Sequence, residues 1–387
     1  MFCLTWYVRG ARLAHETWSL SNVDRSGRLF EDETAVALMP NTARDHRLDL
    51  SAQKNSPQYS STSNDTIAKL SLNNPSIPLD SVVLVTGVNG LIGSWVADKF
   101  LEAGYRVRGT VSDFGAPGAW DKAVRGVASV AGVAGQAGLD LVDIDAALEL
   151  EFPFVIGLLN AAQKESSVKS VVFTSSAWAA WTPDPDKKVV LHEWSYNEEA
   201  VTIVRNSKSG DGLGILPYMA FKALWEQQIW DWIRTEKPSY TFNTILPDTV
   251  FGATLSPENQ GIQSTCGMVK WLRDGVNLDM LASVPAQRFI DTQDLGLLYL
   301  AALTTPGVNG ERLFAFGNKY SFSKVGQLLQ DLEPDKKLLG MKDDRWDQTE
   351  VPSQRAESLV RALKGRGWAT LEDSIADCLS SIQKLND

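Results

Sequence analysis

Tyr218 and Lys222 are the residues whose types and spacing most directly offer chemistry. They stand four positions apart in a segment with helical character, so both side chains project from one face of the helix. An ammonium group held close to a phenol favours the phenolate, which makes Tyr218 a usable general acid for the alkoxide that hydride addition forms. The same lysine can hydrogen-bond a nicotinamide ribose. Because this spacing is common by chance, the alternative interpretation is an ordinary amphipathic helix.

A run of glycines precedes this pair and directly follows a buried-strand pattern at Val82–Thr86. A sharp turn from a parallel strand into a helix brings backbone N–H groups towards phosphates, and side chains at the turn would block that approach. The alternative is a glycine turn in another kind of α/β domain. The first interpretation predicts a dinucleotide site formed by Gly87, Asn89, Gly90, Leu91, Ile92 and Gly93.

Two hydroxyl groups follow another apolar strand pattern, which covers Val168–Thr174. Open α/β sheets bind ligands at the carboxyl ends of their strands, which is where Ser175 and Ser176 fall. We expect Ser176 to hold a substrate carbonyl and Ser175 to have a structural or loop-capping role. The alternative is that both serines only cap a turn. The glycine run and the tyrosine–lysine pair together indicate a nicotinamide-dependent oxidoreductase.

Strand and helix patterns alternate from residue 81 onward, which is typical of a doubly wound parallel sheet. Only 15 residues separate the second strand, ending at Val111, from the next, beginning at Val127. A helix, a third strand and their loops need more chain than that. We therefore predict an α/β fold with a Rossmann-type sheet that lacks its third strand, and a smaller C-terminal substrate lobe. The second strand would be left at an exposed edge. Helices are expected at 94–101, 154–165 and 216–235, and further strands at 106–111, 127–134 and 240–246.

Length and composition predict how the chain is divided. The 387 residues are enough for a nucleotide-binding Rossmann domain at 76–250 and a substrate lobe at 251–387 that is interleaved with it. Residues 1–75 lack sustained periodicity, and their polar stretch at 51–64 is typical of disordered chain. We therefore expect a disordered leader before the Rossmann domain.

Charge and the rarer residues limit the partners. A net charge of −10 argues against nucleic acid, and the three histidines show no metal-ligand spacing. The three cysteines form no disulfide framework, which suits a reducing compartment. No apolar run approaches the roughly 18 residues that a membrane helix needs. We expect a cytoplasmic monomer or homodimer that acts on a small-molecule carbonyl substrate and binds no metal, membrane or nucleic acid.

The order of these motifs along the chain resembles that of the extended short-chain dehydrogenase/reductase family, over about 76–387. Segments 104–111 and 171–176 look like those of dihydroflavonol-reductase-type enzymes. Segments 243–247 and 288–296 are similar to the fungal aldehyde and ketone reductases of that group. The resemblance implies reduction of an aldehyde or ketone by NADPH.

The resemblance also implies roles for individual residues. The catalytic residues would be Ser176, Tyr218 and Lys222, and the last two would also contact the cofactor. Backbone contacts with the nicotinamide would come from Pro247, Thr249 and Val250.

The chain departs from the family pattern at several positions. Ser112 stands where family members usually carry a basic residue for the 2′-phosphate of NADPH. Arg108 is nearby, and it either takes over that role or is a strand residue with its head in solvent. NADPH is therefore the expected cofactor, and NAD is possible. Phe221 replaces a usual serine, and the helix expected at 154–165 lacks the asparagine that some relatives use in a proton relay.

Three interpretations of function remain open. The first is an NADPH-dependent reductase of a hydrophobic aldehyde or ketone. Its pocket would be lined by tryptophans close to the serine in sequence, namely Trp178, Trp181 and Trp194, although packing under the substrate lobe is the favoured interpretation for any single one of them. The second is a nucleotide-sugar epimerase or dehydratase of the same fold, which would retain its cofactor tightly. The third is a non-catalytic relative impaired by the missing segment.

Overall fold

The computed structural model describes residues 36–39, 70, 72–110, 118–135, 138–208, 212–341 and 345–385. Within them the strands are β1 (Val36–Met39), β2 (Val82–Thr86), β3 (Arg106–Thr110), β4 (Ser129–Gly132), β5 (Ser170–Thr174), β6 (Thr241–Pro247), β7 (Thr249–Phe251), β8 (Gln287–Asp291), β9 (Arg312–Ala315) and β10 (Lys319–Tyr320). The helices are α1 (Leu91–Glu102), α2 (Ala119–Val124), α3 (Ile144–Lys164), α4 (Glu198–Asn206), α5 (Leu216–Glu236), α6 (Pro257–Gln260), α7 (Ser264–Asp274), α8 (Leu278–Ala282), α9 (Thr292–Thr304), α10 (Phe322–Leu332), α11 (Gln354–Lys364) and α12 (Leu371–Lys384).

The main sheet confirms the α/β Rossmann-type fold. Its strand order is β1-β3-β2-β4-β5-β6-β9, and all neighbours after β3 pair in parallel. In the described part of the chain no parallel third strand lies between β3 and β4, as the short connection predicted. The expected exposed edge is corrected, because β1 pairs antiparallel with β3 from Val36 opposite Thr110 to Met39 opposite Val107. This strand belongs to the 1–75 stretch, for which the sequence predicted no regular structure.

The central strands β2 and β5 are buried on both faces, which is why each is a nearly continuous apolar run. Val83 and Val85 of β2 face the core that contains α1 and α9, while Val82 and Leu84 face α2, α3 and α5. Alternate residues of each strand therefore bury against opposite helical layers.

A second, three-stranded sheet lies beyond β6, with the order β10-β8-β7. Phe251 is fully buried there and packs edge-on against Tyr320, with ring centroids 4.9 Å apart. Helices α7, α10 and α12 pack on one another and on this sheet. Between β8 and β10 the chain returns to the main sheet through α9 and β9, so the C-terminal part and the Rossmann sheet are interleaved in sequence.

Helix α3 is longer than the sequence predicted, since it begins at Ile144 and not near Phe154. Asp143 caps it by accepting hydrogen bonds from two backbone N–H groups, and Pro153 is accommodated inside it. None of the helices in the described part of the chain is long and apolar enough to cross a membrane.

Candidate active site

The glycine turn after β2 is shaped by close backbone approaches. Gly87 has a φ of +64°, a left-handed conformation that side chains disfavour. A Cβ at Gly93 would lie 2.1 Å from the carbonyl oxygen of Gly87, so a larger residue cannot fit without moving the turn. These two positions therefore require glycine for the chain to pass from β2 into α1.

The N-terminus of α1 can accept an anion. Gly90 is the N-cap residue and provides no side-chain cap, and the first turn carries no acidic residue. The positive end of the 12-residue helix is therefore available for a pyrophosphate. Gln260, the last residue of α6, stabilises the glycine turn. Its Nε2 donates hydrogen bonds to the carbonyl oxygens of Asn89 (3.0 Å) and Gly90 (3.2 Å). The residues present fit a dinucleotide.

The loop after β4 is attached to this turn through Thr86. Its Oγ1 accepts hydrogen bonds from the backbone N–H groups of Val133 (2.9 Å) and Ala134 (3.0 Å). The Ala134 methyl group lies only 3.2 Å from where a Cβ at Gly87 would stand. The carboxyl ends of β2 and β4 thus form one surface beside the start of α1.

Tyr218 and Lys222 lie in the first two turns of α5, as their spacing predicted. Lys222 is buried, and its Nζ lies 5.9 Å from the centroid of the Tyr218 ring and 4.8 Å from that of Trp225. Tyr218 is half-buried. The structure therefore brings an ammonium group to the side of a phenol that is partly open to solvent.

The two serines after β5 differ in their contacts. Ser175 is buried and donates from Oγ to Oε2 of Glu226 at 2.9 Å, which gives it a structural role. Ser176 accepts a 3.2 Å hydrogen bond from the backbone N–H of Trp178 and so caps the 3₁₀ turn Ala177–Ala179. A hydroxyl that accepts one hydrogen bond can still donate its proton to a carbonyl oxygen. The capping and substrate-binding roles of Ser176 are therefore compatible.

The three tryptophans expected near the pocket lie in different surroundings. Trp178 is half-buried and packs edge-on against Tyr218, with ring centroids 6.1 Å apart. Trp181 is buried in a core cluster, whereas Trp194 is 71% exposed and stacks on His192. Among the three, Trp178 is the one whose ring contacts Tyr218.

The segment after β6 is held by polar contacts that the sequence did not indicate. Pro247 ends β6, and Thr249 and Val250 lie in β7, with Thr249 Oγ1 2.8 Å from the Tyr320 hydroxyl. Asp248, between Pro247 and Thr249, is buried. Its carboxylate accepts hydrogen bonds from the backbone N–H groups of Thr249 (2.7 Å) and Arg288 (3.2 Å). Burial raises the pKa of Asp248 to about 7, although these two N–H groups favour its ionised form.

A buried ion pair connects α5 to the sheet. Glu226 is one turn beyond Lys222 and accepts hydrogen bonds from Arg312 at 2.8 and 3.0 Å, from Ser175 and from Thr244 (2.6 Å). The Arg312 guanidinium also lies over the ring of Tyr196, 4.0 Å from its centroid. These contacts fix α5 relative to the end of β5.

The Arg108 side chain is held by hydrogen bonds to the protein backbone. Its Nη1 donates to the carbonyl oxygens of Ala123 (2.7 Å) and Arg125 (2.8 Å) at the end of α2. Burial and the neighbouring Arg106 and Arg125 lower the pKa of this guanidinium. Ser112, the other residue considered for the 2′-phosphate, lies outside the described residues.

Comparison with known proteins agrees with this geometry. Residues 83–313 match the NAD dependent epimerase/dehydratase family. Ketoreductase adrE of Penicillium rubens is 32% identical over 334 residues, covering 78% of this chain and 96% of that protein. Aldehyde reductase 2 of Sporidiobolus salmonicolor is 29% identical over 342 residues, covering 80% and 98%. The crystal structure of yeast methylglyoxal/isovaleraldehyde reductase Gre2 complexed with NADPH superposes with a TM-score of 0.65 at 20% identity, covering 79% of this chain and 99% of that chain.

The chain therefore belongs to the NAD dependent epimerase/dehydratase family, a group of extended short-chain dehydrogenases/reductases. It is an NAD(P)-dependent oxidoreductase. Among the described residues, no group of three or more histidine, cysteine or carboxylate side chains could hold a metal ion.

Proposed function

We propose that this protein reduces a hydrophobic aldehyde or ketone to the alcohol with NADPH. The observation that carries the proposal is the arrangement around Trp178, whose backbone N–H bonds Ser176 and whose ring contacts Tyr218. A hydroxyl donor and a phenol that meet at one apolar ring suit a carbonyl with an apolar substituent. The similar proteins named as reductases support the same chemistry.

The roles of the side chains follow from their chemistry. The bound nicotinamide would supply the hydride to the carbonyl carbon. Ser176 would donate a hydrogen bond to the carbonyl oxygen and so stabilise the negative charge that develops there. Tyr218 would then protonate that oxygen, and Lys222 would stabilise the phenolate that remains.

The cofactor would occupy the surface formed by the glycine turn and the ends of the parallel strands. Gly87, Asn89, Gly90, Leu91, Ile92 and Gly93 would receive the pyrophosphate, and Lys222 would hold the nicotinamide ribose. Pro247, Thr249 and Val250 would contact the nicotinamide through their backbone. Buried Asp248 and the Thr249–Tyr320 contact support a fixed position for this segment. The cytoplasmic location and the monomeric or homodimeric state remain predictions from the sequence.

A nucleotide-sugar epimerase or dehydratase is the second candidate, favoured by the description of the matching family. Such an enzyme oxidises and re-reduces its substrate, so it consumes no cofactor overall. The two functions therefore differ in net oxidation of NADPH.

The test is titration of purified full-length protein with NADPH and NADH, followed by a panel of aldehydes and ketones. We expect carbonyl-dependent oxidation of NADPH, with one alcohol formed for each NADPH consumed. Tightly retained NAD and no net oxidation with any carbonyl would favour the epimerase class. Failure to bind either dinucleotide would contradict the proposed function.

A further inference from the structure

Gln287 is a buried polar residue for which neither the sequence pattern nor the proposed mechanism provides a role. It is the first residue of β8 and is fully buried. Its Oε1 accepts a hydrogen bond from the indole Nε1 of Trp178 at 2.9 Å, and its Nε2 lies 3.4 Å from the carbonyl oxygen of Pro285. A buried amide is costly unless it is hydrogen-bonded, so this contact constrains both side chains.

Trp178 links this glutamine to the proposed catalytic groups. Its backbone N–H bonds Ser176, and its ring lies edge-on to Tyr218 with an interplanar angle of 85°. Its carbonyl oxygen accepts a 3.0 Å hydrogen bond from Asn197. The backbone of Trp178 is thus fixed on its own, and the bond to Gln287 adds a directional constraint on the ring, which also packs against Tyr218.

The same glutamine is also linked to the segment after β6. Gln287 pairs with Tyr320 in the register of β8 and β10, and the Tyr320 hydroxyl bonds Thr249. Trp178, Gln287, Tyr320 and Thr249 therefore form a continuous series of contacts. Because Trp178 contacts Tyr218, this series connects the proposed general acid to the segment proposed to contact the nicotinamide.

We propose that Gln287 is a positioning residue that sets substrate selectivity by fixing the indole of Trp178. Because the indole N–H is engaged by Gln287, the half-buried ring offers carbon surface to the site. The substrates selected are carbonyl compounds with a flat apolar group that packs on this ring. This inference rests on the proposed reductase function and specifies its substrate class.

The test compares 4-phenyl-2-butanone with 2-butanone, which share the reacting methyl ketone and differ by a phenyl-bearing extension. In Gln287→Leu we expect kcat/KM for the phenyl ketone to fall about tenfold relative to that for 2-butanone, mainly through KM, as is typical of apolar pocket contacts. Trp178→Phe should shift the ratio in the same direction. In the double variant the selectivity ratio should fall by less than the two single effects combined, because both substitutions remove the same hydrogen bond.

Asn243→Leu is the matched control. Asn243 is a fully buried amide that bonds the Val308 carbonyl oxygen (3.2 Å) and the Glu311 N–H (2.9 Å) towards the other end of β6. The Asn243→Leu substitution should lower the stability of the protein and leave the selectivity ratio unchanged. If Gln287→Leu does not fold, Gln287→Met carries the same prediction.

The possible failures can be told apart. A wild-type protein that reduces no carbonyl compound overturns the reductase function and this inference with it. An active Gln287 variant with an unchanged ratio, or an equal shift in Asn243→Leu, overturns this inference alone. Additive effects of the two single variants would also contradict it.

Discussion

The side chains around Tyr218 divide into those proposed to touch the substrate and those that are buried in the fold. Ser176 and Trp178 belong to the first group, while Ser175 and Glu226 are buried and bond each other. The residue types and spacing of Ser176, Tyr218 and Lys222 led to the predicted site. A structural role was expected for Ser175, but the burial of Glu226 could not be foreseen, because a glutamate is normally exposed. Its partner Arg312 is 86 positions away in the chain.

Arg108 provides a prediction at this scale. Its two hydrogen bonds to carbonyl oxygens at the end of α2 favour a helix-capping role over 2′-phosphate binding. We expect Arg108→Ala to lower the free energy of unfolding by about 1.5–3 kcal/mol, the usual contribution of hydrogen bonds to a charged group. Fluorescence titration should show NADPH and NADH binding changed to the same extent. Selective weakening of NADPH would instead assign Arg108 to the phosphate.

At the scale of elements, the parallel strands were predictable because a strand buried on both faces is a continuous apolar run. Observed β4, β5 and β6 begin within two residues of the predicted starts. Helix α3 was predicted too short because a proline disfavours helix in the residue before it, and Pro153 stands inside this one. The pairing of α5 with the sheet through Glu226 had no local signal.

The ion pair that anchors α5 can be tested by denaturation. Glu226 and Arg312 are both buried, and removal of one partner leaves an uncompensated charge. We expect Glu226→Ala to lower the free energy of unfolding in urea by about 3–5 kcal/mol. Asp231→Ala removes the exposed pair with Arg234 on the same helix and should cost less than about 1 kcal/mol. Equal losses in the two variants would show that the buried pair does not anchor the helix.

At the scale of the whole molecule, the alternation of strand and helix patterns predicted the Rossmann-type sheet, and the length of one connection predicted that its third strand is missing. The sequence did not predict that Val36–Met39 would pair with the vacant edge. That strand has four residues, too few for periodicity to separate it from its polar surroundings. The contacts that join the second sheet to the site, such as Trp178 with Gln287, come from distant segments and needed the tertiary structure.

The most direct test of the central claim is the turnover of Tyr218→Phe with NADPH and the best carbonyl substrate of the panel. Removal of a general acid should lower kcat by about 10²–10⁴-fold while leaving NADPH affinity and the melting temperature close to wild type. Tyr240→Phe, which removes a buried hydroxyl that bonds the Leu159 carbonyl oxygen, is the control and should retain turnover. A Tyr218→Phe variant with near wild-type kcat would contradict the account.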